Sequence, residues 1–322
     1  MARPLLHAVR AAHPRAEIRA VGSGPLLALL AGEGTFDAHA VWPVRRGAGD
    51  ARVVRGERGA LAASLKAWRA DVALILPFSF SSAWFVLRTG ARMRIGYAHE
   101  LRSFMLTHAP RRPPRGELHL SREYLALGQP LGVCAGRLPL LSPPEEARVA
   151  AGGLIERAAA GAPRLAVMAP RSAYGPAREW PAGRFAALAR LLIARGYAVL
   201  LCGTEAERAS CRGIADDVGP GAVSVAGETD LPTLAALVGR AALAVCNDSG
   251  LAHLAGAVGT ATVTLYGSTS SAWTAALGAR VRVVQHPQVC SPCFRRTCRI
   301  GYHCLTGLSV AEVDDACREV GS

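Results

Sequence analysis

Along most of the chain, short apolar runs alternate with longer stretches whose apolar residues recur every three to four positions. The first kind suits strands buried on both faces, and the second suits amphipathic helices. Asp71–Leu76 (DVALIL), Arg164–Met168, Tyr197–Cys202 (YAVLLC), Ala242–Cys246 and Thr262–Tyr266 are runs of the first kind. Shorter strands are predicted over Glu17–Val21, His39–Val44, Arg94–Tyr97, Ala222–Ala226 and Arg280–Gln285. A helix is predicted from Pro4, with Leu5, Leu6, Val9 and Ala12 on one face and His13-Pro14 as its stop. Other helices are predicted at Leu26–Ala31, Ala60–Trp68, Ala83–Arg88, Ser121–Leu127, Trp180–Arg195, Ala206–Asp217, Leu231–Arg240, Leu251–Val258 and Val310–Val320. Such alternation implies parallel, doubly wound sheets. Ser142-Pro143-Pro144-Glu145-Glu146 reads as a linker, and the alternation restarts beyond it. The expected division is an N-terminal domain over 1–145 and a C-terminal domain over 146–308, with a cleft between them. A last helix in 309–322 is expected to pack back toward the N-terminal domain. One feature breaks the pattern: a Rossmann-like half opens on a buried strand, and this chain opens on a helix.

Composition narrows the class. Of 322 residues, 51% are hydrophobic and 19% charged, which excludes a disordered chain. No apolar run reaches the roughly 18–20 residues of a membrane span, and the Leu26–Leu30 stretch lacks the flanks of a signal peptide. The net charge is +13, almost all from arginine, since Lys66 is the one lysine. An excess of that size calls for an anionic partner. Nucleic acid is disfavoured, because no nucleic-acid motif is visible and aromatic residues make up 6%.

Candidate chemistry lies in three turns of the second half, each following a strand. In open α/β sheets ligands bind at the carboxyl ends of strands, where helix N-termini offer N–H donors to phosphates. The turn Ala169–Pro181 carries Arg178 just before a helix, where an anion would offset an unfavourable cation. The turn Gly227-Glu228-Thr229-Asp230 offers Glu228 to ribose hydroxyls, or simply caps the next helix through Thr229 or Asp230. The stretch LAVCNDSGLAHLAGAVGTATVTLYGSTS, 243–270, reads as strand, turn, helix, strand, turn, with Gly259 ending the helix. Asp248 there can take sugar hydroxyls, and the N–H groups of Ser249, Gly250 and Leu251 a diphosphate. His253 lies one turn into the helix. P-loop, GxGxxG, HExxH and GxSxG signatures are missing. Five cysteines (Cys134, Cys202, Cys211, Cys246 and Cys317) read as packed thiols. Cys290, Cys293, Cys298 and Cys304 are clustered near His303. Four thiolates can hold zinc or an iron–sulfur cluster, but this is not the paired CxxC spacing of a zinc ribbon. A Cys- and Arg-rich loop near the cleft, reduced or partly oxidised, is the expectation.

Taken together, NDSGLAHLAGAVGTATVTLYGSTS, GPAREWP, CSPCFRRTCRIGYHCL and DVALILPFSFSSAWFVLRTGARMRIGY resemble ADP-heptose:lipopolysaccharide heptosyltransferases, glycosyltransferase family 9, and most of all its heptosyltransferase II group. The resemblance covers nearly the whole chain in order. It implies a GT-B fold, two Rossmann-like domains with parallel sheets facing a central cleft. It also implies inverting transfer of L-glycero-D-manno-heptose from ADP-heptose to the lipid A–core acceptor, with no cofactor and no metal. The setting implied is cytoplasmic, peripheral at the anionic inner face of the inner membrane. The donor would be held by Arg178, Glu228, Asp248, Ser249, Gly250, Leu251 and His253. Arg178 stands where the family usually has lysine, keeping the charge with a different geometry. Family members open with a strand and a Gly-Asp turn whose aspartate serves as general base, and Met1-Ala2-Arg3-Pro4-Leu5-Leu6 resembles the segment after that turn. The base is therefore expected upstream of Met1, with the catalytic residue unassigned here. A family 9 transferase with another nucleotide-sugar or acceptor, and a donor-binding remnant without activity, are the alternatives.

Overall fold

The computed structural model describes residues 1–44, 50–136, 138–159 and 161–321. The chain divides into two compact units, Met1–Leu138 and Pro139–Ser322. The boundary comes earlier than the expected 145 because the segment before Pro143 already belongs to the second unit. Leu141 is buried, and its N–H donates to the Ala257 carbonyl at 2.8 Å.

Unit 1 contains α1 (Arg3–Ala12), β1 (Arg19–Gly22), α2 (Gly24–Leu30), β2 (Ala38–Val41), α3 (Ala51–Trp68), β3 (Val72–Ile75), α4 (Phe80–Thr89), β4 (Met93–Gly96) and α5 (Leu120–Ala126). Among the described residues β1 pairs with β2 and β3 with β4, both parallel, as two separate two-stranded sheets. Helix starts follow local chemistry: the Asp50 carboxylate accepts the Arg52 N–H at 2.7 Å, and the Ser79 hydroxyl accepts that of Ser82 at 3.3 Å. Leu5 and Ala8 of α1 pack with Leu74, Leu76 and Val133, which explains why the opening helix is amphipathic.

Unit 2 contains α6 (Glu145–Ala159), β5 (Arg164–Ala169), α7 (Ala182–Ala194), β6 (Tyr197–Leu201), α8 (Arg208–Val218), β7 (Ala222–Ser224), α9 (Leu231–Gly239), β8 (Leu243–Asn247), α10 (Gly250–Val258), β9 (Thr262–Tyr266), α11 (Ser271–Thr274), β10 (Val281–Gln285), α12 (His303–Thr306) and α13 (Val310–Gly321). Its strands form one six-stranded parallel sheet, ordered β10-β9-β8-β5-β6-β7. The central strands β6, β8 and β9 are buried at every position. One face packs on Phe185, Leu188, Ile214 and Val313, the other on Ala151, Leu154, Leu237 and Ala255. Two covered faces are what makes these strands continuous apolar runs.

Helix α6 occupies a stretch for which the pattern predicts no element. The C-terminal helix gives its apolar face to unit 2. Val313, Ala316 and Cys317 are buried against α7 and strands β8 to β10. Asp314 fastens it there, accepting from Arg195 at the end of α7 and from Arg318 at 3.0 Å.

Candidate functional site

The order of strands in unit 2 brings two of the three candidate turns together. β5 and β8 are neighbours, so the loop after β5 (170–181) and the turn after β8 meet at the carboxyl edge of the sheet. Asn247, fully buried as the last residue of β8, fastens them. Its Oδ1 accepts the Trp180 N–H at 3.0 Å, and its Nδ2 donates to the Pro170 carbonyl at 2.7 Å. Trp180 is itself buried, edge-on to Phe185, with Nε1 donating to the Leu308 carbonyl at 2.9 Å. Both ends of the Arg178 loop are thereby held. Within it, Glu179 accepts the Ser172 N–H at 3.0 Å and pairs with Arg171 at 2.7 Å.

This scaffold sets Arg178 against Asp248, with Nη1 and Oδ2 3.1 Å apart. The guanidinium also lies 3.8 Å from the centroid of the Tyr174 ring, a cation–π contact that fixes its plane. Asp248 is 2% exposed, and its Oδ2 also accepts the Thr269 hydroxyl from the turn after β9. Burial is the largest influence on Asp248 and pushes its carboxyl above the usual range; Arg178 and Thr269 pull it back.

Helix α10 begins immediately beyond. Ser249 has the extended backbone of an N-cap, but its hydroxyl makes no cap bond. The hydroxyls of Ser249 and Ser268 and the Nε of Arg178 are buried and lack hydrogen-bond partners. Buried polar atoms are normally satisfied. Three orphaned ones beside an uncapped helix start, a buried carboxylate and a fixed arginine describe a pocket edge built for a polar, anionic ligand.

Glu228 is not part of this contact set. β7 is the sheet's edge strand, three places from β8, so its turn lies about 14 Å along the same edge. Exposed Glu228 faces Arg157 at 3.5 Å, while Asp230 caps α9 by accepting the Thr233 N–H at 2.8 Å. His253 is half-buried on α10. The sequence reading missed Tyr174, Asn247 and Thr269 as site residues. The signal for Asn247 was present: an amide directly after a wholly apolar strand.

The cysteine loop braces the site from behind. The Phe294 N–H donates to the Ser268 carbonyl at 2.7 Å, and the Ala177 N–H to that of Arg296 at 3.1 Å. Gly175 has φ of +133°, and a Cβ there would lie 2.8 Å from the Arg296 carbonyl oxygen, so glycine is required where the loops cross. Cys290, Cys293, Cys298, Cys304 and His303 line a cavity of about 20 Å³. Among the described residues, no group of three or more His, Cys, Asp or Glu is arranged to hold a metal ion. All nine cysteines are free thiols. Cys298 Sγ accepts the N–H groups of Ile300 and Tyr302, each at 3.4 Å, and these bonds lower its pKa. Burial pushes the Cys211 thiol up to about 11 and those of Cys246 and Cys317 to about 12, with Cys202 raised as well. Iodoacetamide at about pH 8 is therefore expected to label Cys298 well before these four, since the thiolate is the nucleophile. Peptide mass spectrometry of briefly labelled native protein checks this, and early labelling of Cys246 would contradict the packing described.

Comparison with known proteins agrees with this architecture. The model of glycosyltransferase family 9 (heptosyltransferase) matches residues 58–303. Lipopolysaccharide heptosyltransferase 2 of Salmonella typhimurium is 29% identical over 240 residues, covering 71% of this chain and 69% of that protein. Among solved structures, an Escherichia coli ADP-heptose LPS heptosyltransferase II superposes with a TM-score of 0.80 at 24% identity, covering 99% of this chain and 94% of the other. A family 9 glycosyltransferase from Veillonella parvula superposes with a TM-score of 0.86 at 20% identity, covering 99% and 92%. At such identities the superpositions speak for the fold alone, which is that of the GT-B heptosyltransferases. With the family model spanning most of its length, the chain belongs to glycosyltransferase family 9, the heptosyltransferases, and is a glycosyltransferase.

Proposed function

We propose that this chain transfers L-glycero-D-manno-heptose from ADP-heptose to the inner core of lipopolysaccharide, with inversion at the anomeric carbon. The observation that carries the reading is the Arg178–Asp248 pair beside the uncapped start of α10. The N–H groups of Ser249, Gly250 and Leu251 receive the diphosphate, where the helix dipole favours negative charge. As an acceptor hydroxyl attacks the anomeric carbon, giving up its proton to solvent, the bond from that carbon to the diphosphate breaks and charge grows on the departing ADP. Arg178, fixed by Tyr174 and Asp248, stabilises it without reorganising. Asp248 orients Arg178 and takes sugar hydroxyls, and His253 lines the far side of the diphosphate.

The acceptor is lipid A carrying its core, taken by unit 1. The chain works as a peripheral protein at the inner face of the inner membrane. Among the described residues, no helix is long and apolar enough to cross a membrane. The test is to incubate purified chain with ADP-heptose and a heptose-accepting core oligosaccharide. Mass spectrometry should show one heptosyl addition, and NMR a product whose anomeric configuration is opposite to the donor's. Transfer from a different nucleotide-sugar but not from ADP-heptose would overturn the reading.

A further inference from the structure

The basic excess is unevenly placed. Residues 1–138 hold 20 Lys and Arg against 9 Asp and Glu, so unit 1 carries +11 of the chain's +13. The same unit displays an apolar tip. β3 and β4 are parallel neighbours, so the segments after them emerge side by side. After β3 comes α4, with Phe80 42% and Trp84 50% exposed, one turn apart on one helix face. After β4 comes the segment 97–105, with Leu101 89% and Phe104 72% exposed. The rings of Phe80 and Phe104 lie 6.4 Å apart, so these side chains form one patch.

The patch is held rigidly. Arg102 is fully buried, and its guanidinium donates to the carbonyls of Tyr97 at 2.9 Å, Pro77 at 2.6 Å and Ser79 at 3.0 Å, and to the Ser82 hydroxyl at 3.1 Å. Glu100 accepts the Phe80 N–H at 2.9 Å. Glu100 and Leu101 both adopt left-handed backbone, with φ of +48° and +55°. Two consecutive non-glycine residues in that region are strained, and here the strain turns a leucine outward into water.

We infer that this tip inserts into an anionic phospholipid bilayer, with Arg88 on the headgroups and Leu101, Phe104, Phe80 and Trp84 in the interface. Exposed Arg88 follows one turn after Trp84 on the same helix. Aromatic side chains and leucine beside cations suit the boundary between headgroups and acyl chains. The four exposed side chains offer roughly 500 Å², less than the roughly 800 Å² one partner contributes to a stable protein interface, which disfavours a second copy as occupant. The inference rests on the reading of a lipid-borne acceptor and says how the chain reaches it.

The test is co-sedimentation of the full chain with vesicles of equimolar phosphatidylglycerol and phosphatidylethanolamine, against phosphatidylcholine alone. The native chain should sediment with the anionic vesicles only, and partitioning should fall at least about tenfold in a Leu101→Ser/Phe104→Ser variant. Val149→Ser, which removes an exposed apolar side chain from unit 2, should change nothing. The double variant should bind ADP-heptose as tightly as the native chain, since the donor turns lie in unit 2. Undiminished partitioning of the double variant would overturn the inference. So would native sedimentation that requires acceptor lipid in the vesicles, or a dimer in light scattering that the double variant loses. A native chain that ignores vesicles yet transfers heptose overturns only this inference, whereas one that binds vesicles but transfers to no acceptor overturns only the proposed function.

Discussion

Arg178→Ala is expected to lower kcat/KM for ADP-heptose on the order of 100- to 1000-fold, the usual cost of removing a preorganised group that faces charge developing in the transition state. It also leaves the buried Asp248 carboxylate without its cation, and breaking one side of a buried pair is costly. The sign of the pH dependence comes from the direction of the Asp248 shift. Its folded pKa is raised by burial, so the stability associated with the protonated form is present at acid pH and lost as pH rises through the folded value. Removing Arg178 raises that value further, so the drop in Tm should be larger at about pH 8 than at about pH 4. Adding Asp248→Asn should recover most of the stability and none of the activity. Arg178→Lys should restore part of the rate, because the charge stays while the planar contact with Tyr174 is lost. Steady-state kinetics and thermal melts across pH check all three variants. An Arg178→Ala enzyme within threefold of native would remove the arginine from the site.

The second large effect is on stability. Trp180 is 1% exposed, edge-on to Phe185 at 5.1 Å, with its indole N–H satisfied by Leu308. Trp180→Ala should cost about 3–5 kcal/mol, lowering the Tm of a unit this size by roughly 10 °C. Trp180→Phe should cost less, since ring packing survives while the indole hydrogen bond does not. Because Trp180 anchors the loop that carries Arg178, the Ala variant should also bind nucleotide more weakly per folded molecule. Calorimetric melts with a binding titration at a temperature where the variant remains folded measure both effects. A Tm within about 2 °C of native would contradict the burial described.

Much of the fold was legible because the sheet of unit 2 is covered on both faces. YAVLLC, LAVCN and TVTLY are unbroken apolar runs for that reason, and they were placed to within a residue or two. Helix α6 escaped because Gly152 and Gly153 interrupt a run dominated by alanine, so its apolar face is weakly marked. The predicted start at Ala60 missed the first part of α3, since ARVVRGERG has charges around nearly its whole circumference. Helix α13 was found, but periodicity says only that one face is apolar and never what covers it.

At the site, the sequence identified the turns but not their contacts. Local pattern sets Arg178 against the dipole of the helix that follows it, yet its partner is Asp248, 70 residues on. That pairing depends on β5 and β8 being adjacent, which local pattern does not encode. Glu228 shares with Arg178 and Asp248 a place directly after a strand, and strand order sets it at the far end of the same edge.

The most direct test of the central claim is isothermal titration of the native chain with ADP-heptose, beside UDP-glucose and beside the Arg178→Ala variant. The account predicts saturable one-to-one binding of ADP-heptose that weakens at least about tenfold in the variant, a change of roughly 1.4 kcal/mol or more, with no heat from UDP-glucose. Native chain that gives no heat with ADP-heptose, or that binds both nucleotide-sugars alike and ignores the loss of Arg178, would contradict it.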